Sequence, residues 1–281
     1  MQPIVAVIAP GMMGSAVAHC LTAKGIEVRT ALEGRGADTL ARAKAAGMTG
    51  ASDADIANAD FILSILPPGS ALGLAEHLAP ALRASAKKPV YVDCNAVAPD
   101  TVRRIGEVVE ATGATFVDGG IIGGPPEPGS ISTKIYLSGP AAPRVKILED
   151  FGLTMPIQDG PIGAASAMKM SYAGITKGFT ALGAAMMLAA TRAGTAEAVK
   201  AELSSSQPAL YGWLTKQMPR MYAKSYRWVA EMEEIATFVG EDPAGAKFFH
   251  GAAELYTRIA ADFEGANTET VMLDAFCAKK P

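Results

Sequence analysis

Histidine and cysteine are scarce in this sequence, with three of each among 281 residues. His19, His77 and His250 stand far apart, at spacings that make neither a metal-ligand set nor a base for a nucleophile. Structural roles and no metal are expected. Cys20, Cys94 and Cys277 are odd in number and lack C-x-x-C spacing. That argues against a disulfide framework and fits the reduced thiols of a cytoplasmic protein. Charge is also sparse: 19% of residues, net −3. No basic footprint points to nucleic acid or an anionic membrane. No run of 18 apolar residues occurs, and the densest stretch, Phe179 to Ala190, reads as a buried helix rather than a membrane span. The N-terminus lacks the basic region and apolar core of a signal peptide. What is present is apolar residues, 49% of the chain, enough for a substantial core and two domains.

The chain opens on a short apolar run, Ile4 to Ile8, followed by Ala9-Pro10-Gly11-Met12-Met13-Gly14. The run reads as a buried strand. The residues from Met12 to Lys24 keep Met13, Val17 and Leu21 at helical intervals and stop at Gly25. Glycines between a strand and a helix leave backbone N–H groups and the positive helix end facing whatever occupies the turn. This is the dinucleotide fingerprint, with alanine at position 9 in place of the first glycine.

Strand-like runs then alternate with helical ones. Strands are expected at Ile26–Leu32, Phe61–Leu66, Val90–Val92 and Ala114–Asp118, and helices at Asp38–Ala46, Ala71–Leu82 and Asp100–Ala111. Such alternation predicts a doubly wound, mainly parallel α/β sheet of Rossmann type, whose ligands bind beyond the carboxyl ends of the strands. Ala9 to Gly14, Leu66-Pro67-Pro68 and Asp93-Cys94-Asn95 lie at such ends. The second strand closes in Leu32-Glu33-Gly34-Arg35. Glu33 would hold the ribose hydroxyls of NAD and Arg35 the 2′-phosphate of NADP. The reading favours NADP(H) over NAD(H), because a Gly-Arg turn can present the guanidinium bidentately to a phosphate.

Glycine and proline crowd Gly119 to Gly129, which reads as a rigid loop approached closely by a ligand or another backbone. Further strands are expected at Lys134–Ser138 and Leu153–Gln158, with a helix at Pro143–Asp150 between them. From Gly163 the pattern is helical only. A long helix from Ala164 to Ala193 is followed by a short one capped by Thr195, then by helices near Tyr211–Tyr222, Tyr226–Val239 and Ala244–Glu264. The division expected is a Rossmann domain at 1–160 and an all-α domain at 161–281. Lys169 interrupts the long apolar helix and shares a stripe with Tyr172, Ala173 and Thr176. One reading is a lysine reaching out to water. The other is a buried amine whose pKa is lowered until it can exchange protons.

Several ordered motifs resemble the β-hydroxyacid dehydrogenases, the family of 3-hydroxyisobutyrate and 6-phosphogluconate dehydrogenases. They are Ala9 to Gly14, Leu66-Pro67-Pro68, Asp93-Cys94-Asn95 followed by Pro99, Phe116-Val117-Asp118 through Gly123-Gly124, and Gly160-x-x-Gly163 followed by Lys169-Met170. The resemblance covers essentially the whole chain. It is nearest to a bacterial branch described only as 6-phosphogluconate-dehydrogenase-like, with its own type of C-terminal domain. It implies a nicotinamide cofactor near Asn95, a substrate loop at Ile122-Gly123-Gly124, an active site in an interdomain cleft, and Lys169 as general acid–base group. It also implies a homodimer with interlocked helical domains, which the small-residue surface of the long helix independently suggests.

Departures from the family pattern bear on the substrate. Ile122 stands where serine is usual, Ala173 where asparagine is usual, and Glu233 on or near a usual lysine. Carboxylate-directed positions are thus apolar or reversed in charge, so a simple 3-hydroxy acid is not the expected substrate. An aldehyde or ketone of lower charge, or an imine, fits better. Glu231 lies at the edge of the apolar stripe Trp228, Met232, Ile235 and Val239, as either a substrate-facing acid or a solvated charge. Tyr172 is either a hydrogen-bond donor to substrate or a core residue. The expected activity is an NADP(H)-dependent carbonyl/alcohol oxidoreductase. The alternatives are an imine reductase or reductive aminase on the same scaffold, or a dinucleotide-binding sensor without catalysis.

Overall fold

A computed structural model of the chain describes residues 2–278. Two compact units are present, Met1–Met170 and Ser171–Pro281, with the boundary inside one long helix. The first unit contains β1 (Ile4–Ile8), α1 (Met12–Thr22), β2 (Glu27–Thr30), α2 (Ala37–Ala45), β3 (Thr49–Gly50), α3 (Asp53–Ala57), β4 (Phe61–Ser64), α4 (Ala71–Ala84), β5 (Val90–Asp93), α5 (Pro99–Glu110), β6 (Thr115–Ile122) and β7 (Lys134–Ser138). Among the described residues, seven strands form one sheet in the order β3-β2-β1-β4-β5-β6-β7, parallel except for the antiparallel β6–β7 pair.

Alternation along the strands builds a core on each face of this sheet. Val5, Val7, Leu63 and Val92 enter one core with Val17 and Leu21 of α1. Ala6, Ile8, Ile62 and Tyr91 enter the other with Leu78 and Leu82 of α4 and Val102 and Ile105 of α5. The sheet is therefore doubly wound. Its strand order reverses between β1 and β4, the point where such folds open a ligand crevice.

In the first unit, four details depart from the sequence expectations. β6 continues through Gly119 to Ile122 instead of entering a loop at Gly119, because β7 pairs with it as far as Ile122↔Lys134. Leu153–Gln158 forms no strand. It runs beside β7 with one isolated bridge, Leu137↔Ile157, and Pro156 lacks the N–H that a ladder needs. The segment Ala142–Phe151 is 3₁₀ rather than α-helical. The short elements β3 and α3 had no clear sequence period. A capping box at Ser52 and Asp55 starts α3.

α6 (Ala164–Arg192) begins in the first unit and continues into the second. It reaches a mean hydropathy of 1.3 over its most apolar 18-residue window, and half of that window is buried. By length and composition alone it could cross a membrane; the core helix of a soluble fold has the same properties. The second unit continues with α7 (Ala196–Ser206), α8 (Pro208–Met221), α9 (Ser225–Phe238), α10 (Pro243–Glu264) and α11 (Thr268–Cys277). Thr195 stands at the N-cap of α7 without a side-chain cap bond, and α11 has no counterpart in the sequence reading. Gly174 and Gly178 let Phe249 lie against α6; a Cβ at either would come within 3.2 Å of its ring.

Candidate active site

The glycine turn joins β1 to α1 without filling its own N-terminus. Gly11 is the N-cap, no side chain caps the helix, and no acidic residue lies in the first turn. The first helical N–H groups have no intrahelical acceptor, so they and the helix dipole remain for an external anion. Gly11 and Met12 are exposed, Pro10 is buried, and Ala9 and Met13 are half-buried. A Cβ on Gly11 would meet nothing within 4 Å, whereas one on Gly14 would run into the carbonyl oxygen of Ala9. Gly11 thus keeps the approach open and Gly14 lets the helix close on the strand. These are the requirements of a pyrophosphate turn, and alanine at position 9 does not obstruct them.

Glu33 and Arg35 are both exposed on the turn after β2, which is closed by a bond from Arg35 N–H to the Leu32 carbonyl. Arg42 is a residue the sequence reading passed over. Its Nε donates to the carbonyl of Pro10 (3.3 Å) and its Nη2 to Thr39 Oγ1 (3.0 Å). A second guanidinium therefore spans the glycine turn and α2. An arginine in an alanine-rich amphipathic helix gives no sequence signal of such a role.

Asn95 is held from inside the fold. It is buried, and its carboxamide is committed inside the fold: Oδ1 accepts from Leu66 N–H (2.5 Å), and Nδ2 donates to Ser64 Oγ (2.8 Å) and Asp93 Oδ1 (2.5 Å). Asn95 thereby fastens the Leu66-Pro67-Pro68 loop to the end of β5. Pro67 is exposed; Leu66 and Pro68 are half-buried.

Lys169 lies 1.5 turns into α6, half-buried, with its Nζ donating to the carbonyl oxygen of Ile121 (2.6 Å). It neither lies deep in an apolar core nor extends into water. The amine stands at the end of β6, next in sequence to half-buried Ile122 and exposed Gly123 and Gly124. Gly120 makes this possible, since a Cβ there would come within 2.8 Å of the Ala165 carbonyl and 3.2 Å of Lys169 Cβ. The crowded glycines thus serve backbone approach at Gly119 and Gly120, while Gly124 is open. Lys169 and the Ile122–Gly124 loop are brought together.

In the second unit Tyr172 is exposed, Ala173 buried and Thr176 half-buried, with Thr176 Oγ1 bonded back to the Tyr172 carbonyl. Tyr172 is therefore not a core residue. Glu231 is not a solvated charge: it pairs with Lys177 of α6, both side chains being mostly buried, and Lys177 Nζ also lies over the Trp228 ring. Glu233 pairs with His250, and His77 with Asp53. Among the described residues, no three His, Cys, Asp or Glu side chains gather as a metal site.

An open α/β sheet with an uncapped glycine turn at its switch point defines a dinucleotide-binding protein. Residues 4–147 match the NAD-binding domain of 6-phosphogluconate dehydrogenase, and the chain belongs to that family. Residues 190–259 match a domain of unknown function, DUF1932. Two curated relatives match over part of their length. One is an uncharacterised protein of Methanothermus fervidus, 32% identical over 159 residues; the other is the 3-hydroxyisobutyrate dehydrogenase of Pseudomonas aeruginosa, 29% identical over 180 residues. The match spans 59% and 55% of those proteins and 56% and 60% of this chain.

Among solved structures, a protein of unknown function described as similar to 3-hydroxyacid dehydrogenases superposes with a TM-score of 0.70 at 28% identity, covering 92% of this chain and 97% of that one. Mycobacterium tuberculosis 3-hydroxyisobutyrate dehydrogenase with L-serine gives 0.74 at 17% identity, covering 99% and 100%. The imine reductase of Streptomyces aurantiacus gives 0.57 at 20%, covering 98% and 99%. These last two share the fold.

Proposed function

We propose that this chain is an NADP(H)-dependent oxidoreductase that interconverts a carbonyl and an alcohol, with Lys169 as the general acid–base group. The observation that carries the reading is the Lys169 ammonium held on the Ile121 carbonyl at the mouth of the Ile122–Gly124 loop. The bound nicotinamide would supply the hydride to the carbonyl carbon in reduction and accept it in oxidation. Lys169 gives its proton to the developing alkoxide oxygen in the first direction and takes one from the hydroxyl in the second. Its bond to a backbone carbonyl orients the amine in either protonation state, because that bond needs only one N–H. The Met12–Gly14 N–H groups receive the pyrophosphate, and Asn95 holds the Leu66 loop beside it. Arg35, exposed on its turn, and Arg42, fixed across Pro10, supply the positive charge for a 2′-phosphate.

The substrate proposed is an aldehyde or ketone without a carboxylate at the position Ile122 faces. Ile122 and Ala173 bring no hydrogen-bond donor to an anionic group. The same feature favours a second reading, reduction of an imine. Self-association into a homodimer is also proposed. Tyr172, Ile175, Phe179, Leu182 and Met186 are all exposed and follow one another at alternating three- and four-residue steps along α6. That spacing is the seam of paired helices, and a second copy of α6 would cover it.

An NADPH-oxidation panel tests the activity. Apolar aldehydes and ketones should be reduced, and 3-oxo acids poorly. Turnover confined to 3-oxo acids would overturn the substrate class. Turnover of ketones only when an amine is added would establish the imine reading. Tight NADPH binding without turnover of any class would leave a sensor.

A further inference from the structure

Asp118 lies at the middle of β6 with no exposure, and four donors converge on its carboxylate. Oδ2 accepts from Gly163 N–H (2.9 Å), Ser166 N–H (3.1 Å) and Ser138 Oγ (2.8 Å), and Oδ1 from Ser166 Oγ (2.6 Å). Ser138 Oγ in turn accepts from Ala165 N–H (3.0 Å). The N–H groups at the start of α6 are therefore satisfied from inside the sheet, where no water reaches them. A carboxylate at a helix N-terminus also complements the helix dipole.

We propose that Asp118 is a positioning residue for Lys169. The proposal takes the acid–base role of Lys169 from the reading above, but its geometry stands apart from it. Three successive features of β6 meet three features of α6. Asp118 grips the helix start at Gly163 and Ser166, Gly120 admits Ala165 and Lys169 against the strand, and the Ile121 carbonyl receives Lys169 Nζ. Lys169 follows Gly163 by about 9 Å along the helix axis, so a small slide or rotation at the first turn is carried directly to the ammonium. Gly163 has φ +100°, so the chain turns into the helix at the residue whose N–H the Asp118 carboxylate accepts. Asp118 makes no contact with reacting atoms; it acts through the helix.

Lys169 reactivity tests this without a known substrate. The full-length chain would be acetylated under limiting reagent across a pH series, and Lys169 labelling read by mass spectrometry against exposed Lys24. In Asp118→Asn, Lys169 should label at least about threefold faster relative to Lys24, while the NADPH Kd stays within about twofold. Ser166→Ala keeps the backbone N–H bonds and should fall between this variant and the wild type; it carries the test if Asp118→Asn does not fold. Unchanged Lys169 labelling in the folded variants, with only a lower unfolding temperature, would overturn the proposal and leave Asp118 as a stabiliser. Failure of the enzymatic reading would appear elsewhere, as Lys169→Ala turning over like the wild type.

Discussion

Asp93 and Asp118 are in-register neighbours on β5 and β6, on the same face of the sheet and without solvent exposure. They belong to a buried polar row that continues through Ser64 on one side and Ser138 on the other, each paired in register with its neighbour. The two ends of this row do different things. Ser64 and Asp93 bind Asn95, which holds the Leu66 loop; Asp118 and Ser138 bind the start of α6. Asp118 receives four donors, whereas the donors to Asp93 come chiefly from Asn95. Burial, and secondarily the nearby Asp118 charge, push the Asp93 carboxyl up to about 7, against the Asn95 hydrogen bonds.

That asymmetry has a definite sign in stability. The folded chain holds a proton on Asp93 at pH values where the unfolded chain, near 3.8, has released it. Stability from this group is therefore full at about pH 4, falls as the pH rises to about 7, and is lost above that; the whole effect is at most about 4 kcal/mol. Asp93→Asn cannot ionise and should lack this component. Urea unfolding at a series of pH values should show the wild type losing stability relative to Asp93→Asn between about pH 4 and 7. Parallel profiles would show that Asp93 does not titrate in this range.

Removing the Lys169 amine should separate chemistry from binding. Lys169→Ala should reduce kcat by about 10²–10⁴-fold with any substrate found in the panel, the range for loss of a general acid–base group. Its NADPH Kd, measured by nucleotide fluorescence, should change little because the glycine turn is intact. A fall of less than about tenfold in kcat would remove Lys169 from the proton-transfer step.

The sheet was legible because its strands are short apolar runs closed by Gly, Pro and Asn, and the helices between them carry clean apolar stripes. The glycine turn was legible for the same reason, since it lies on a strand-to-helix junction. Other features depend on long-range partners. Gly119 and Gly120 look like loop residues until α6 and β5 are seen to press on them. Asn95 looks like a ligand-facing polar residue until Leu66, Ser64 and Asp93 consume its carboxamide. Arg42 gave no local signal, and Asp118 stood out only as part of a motif and not for its grip on α6, because these partners lie 32 and 45 or more residues away. Local periodicity reports which face of an element is apolar; it does not report what that face meets.

In the proposed reading, cofactor choice turns on two arginines with different surroundings. Arg35 is exposed and makes its main-chain turn without using its side chain, so Arg35→Ala should weaken NADPH binding while leaving NADH binding nearly unchanged. Arg42 also holds the Pro10 carbonyl of the pyrophosphate turn, so Arg42→Ala should weaken both nucleotides. Titration of each variant with both nucleotides reads the two patterns. Equal loss of NADH and NADPH binding in Arg35→Ala would remove the case for a 2′-phosphate site at that turn.

The exposed seam of α6 gives the last prediction. Ile175, Phe179 and Leu182 are large apolar residues left open on a helix whose opposite face is packed, and Met186 extends the same line by one more turn. Apolar residues at this spacing bury well against a second helix carrying the same pattern, and a two-fold axis brings each residue to its own counterpart or near it. Phe179→Glu would place two like charges in that seam. Sedimentation equilibrium should show the wild type at twice the chain mass and Phe179→Glu at the chain mass, with unchanged helical circular dichroism. A wild type that sediments at the chain mass at all accessible concentrations would show that the seam does not mediate self-association.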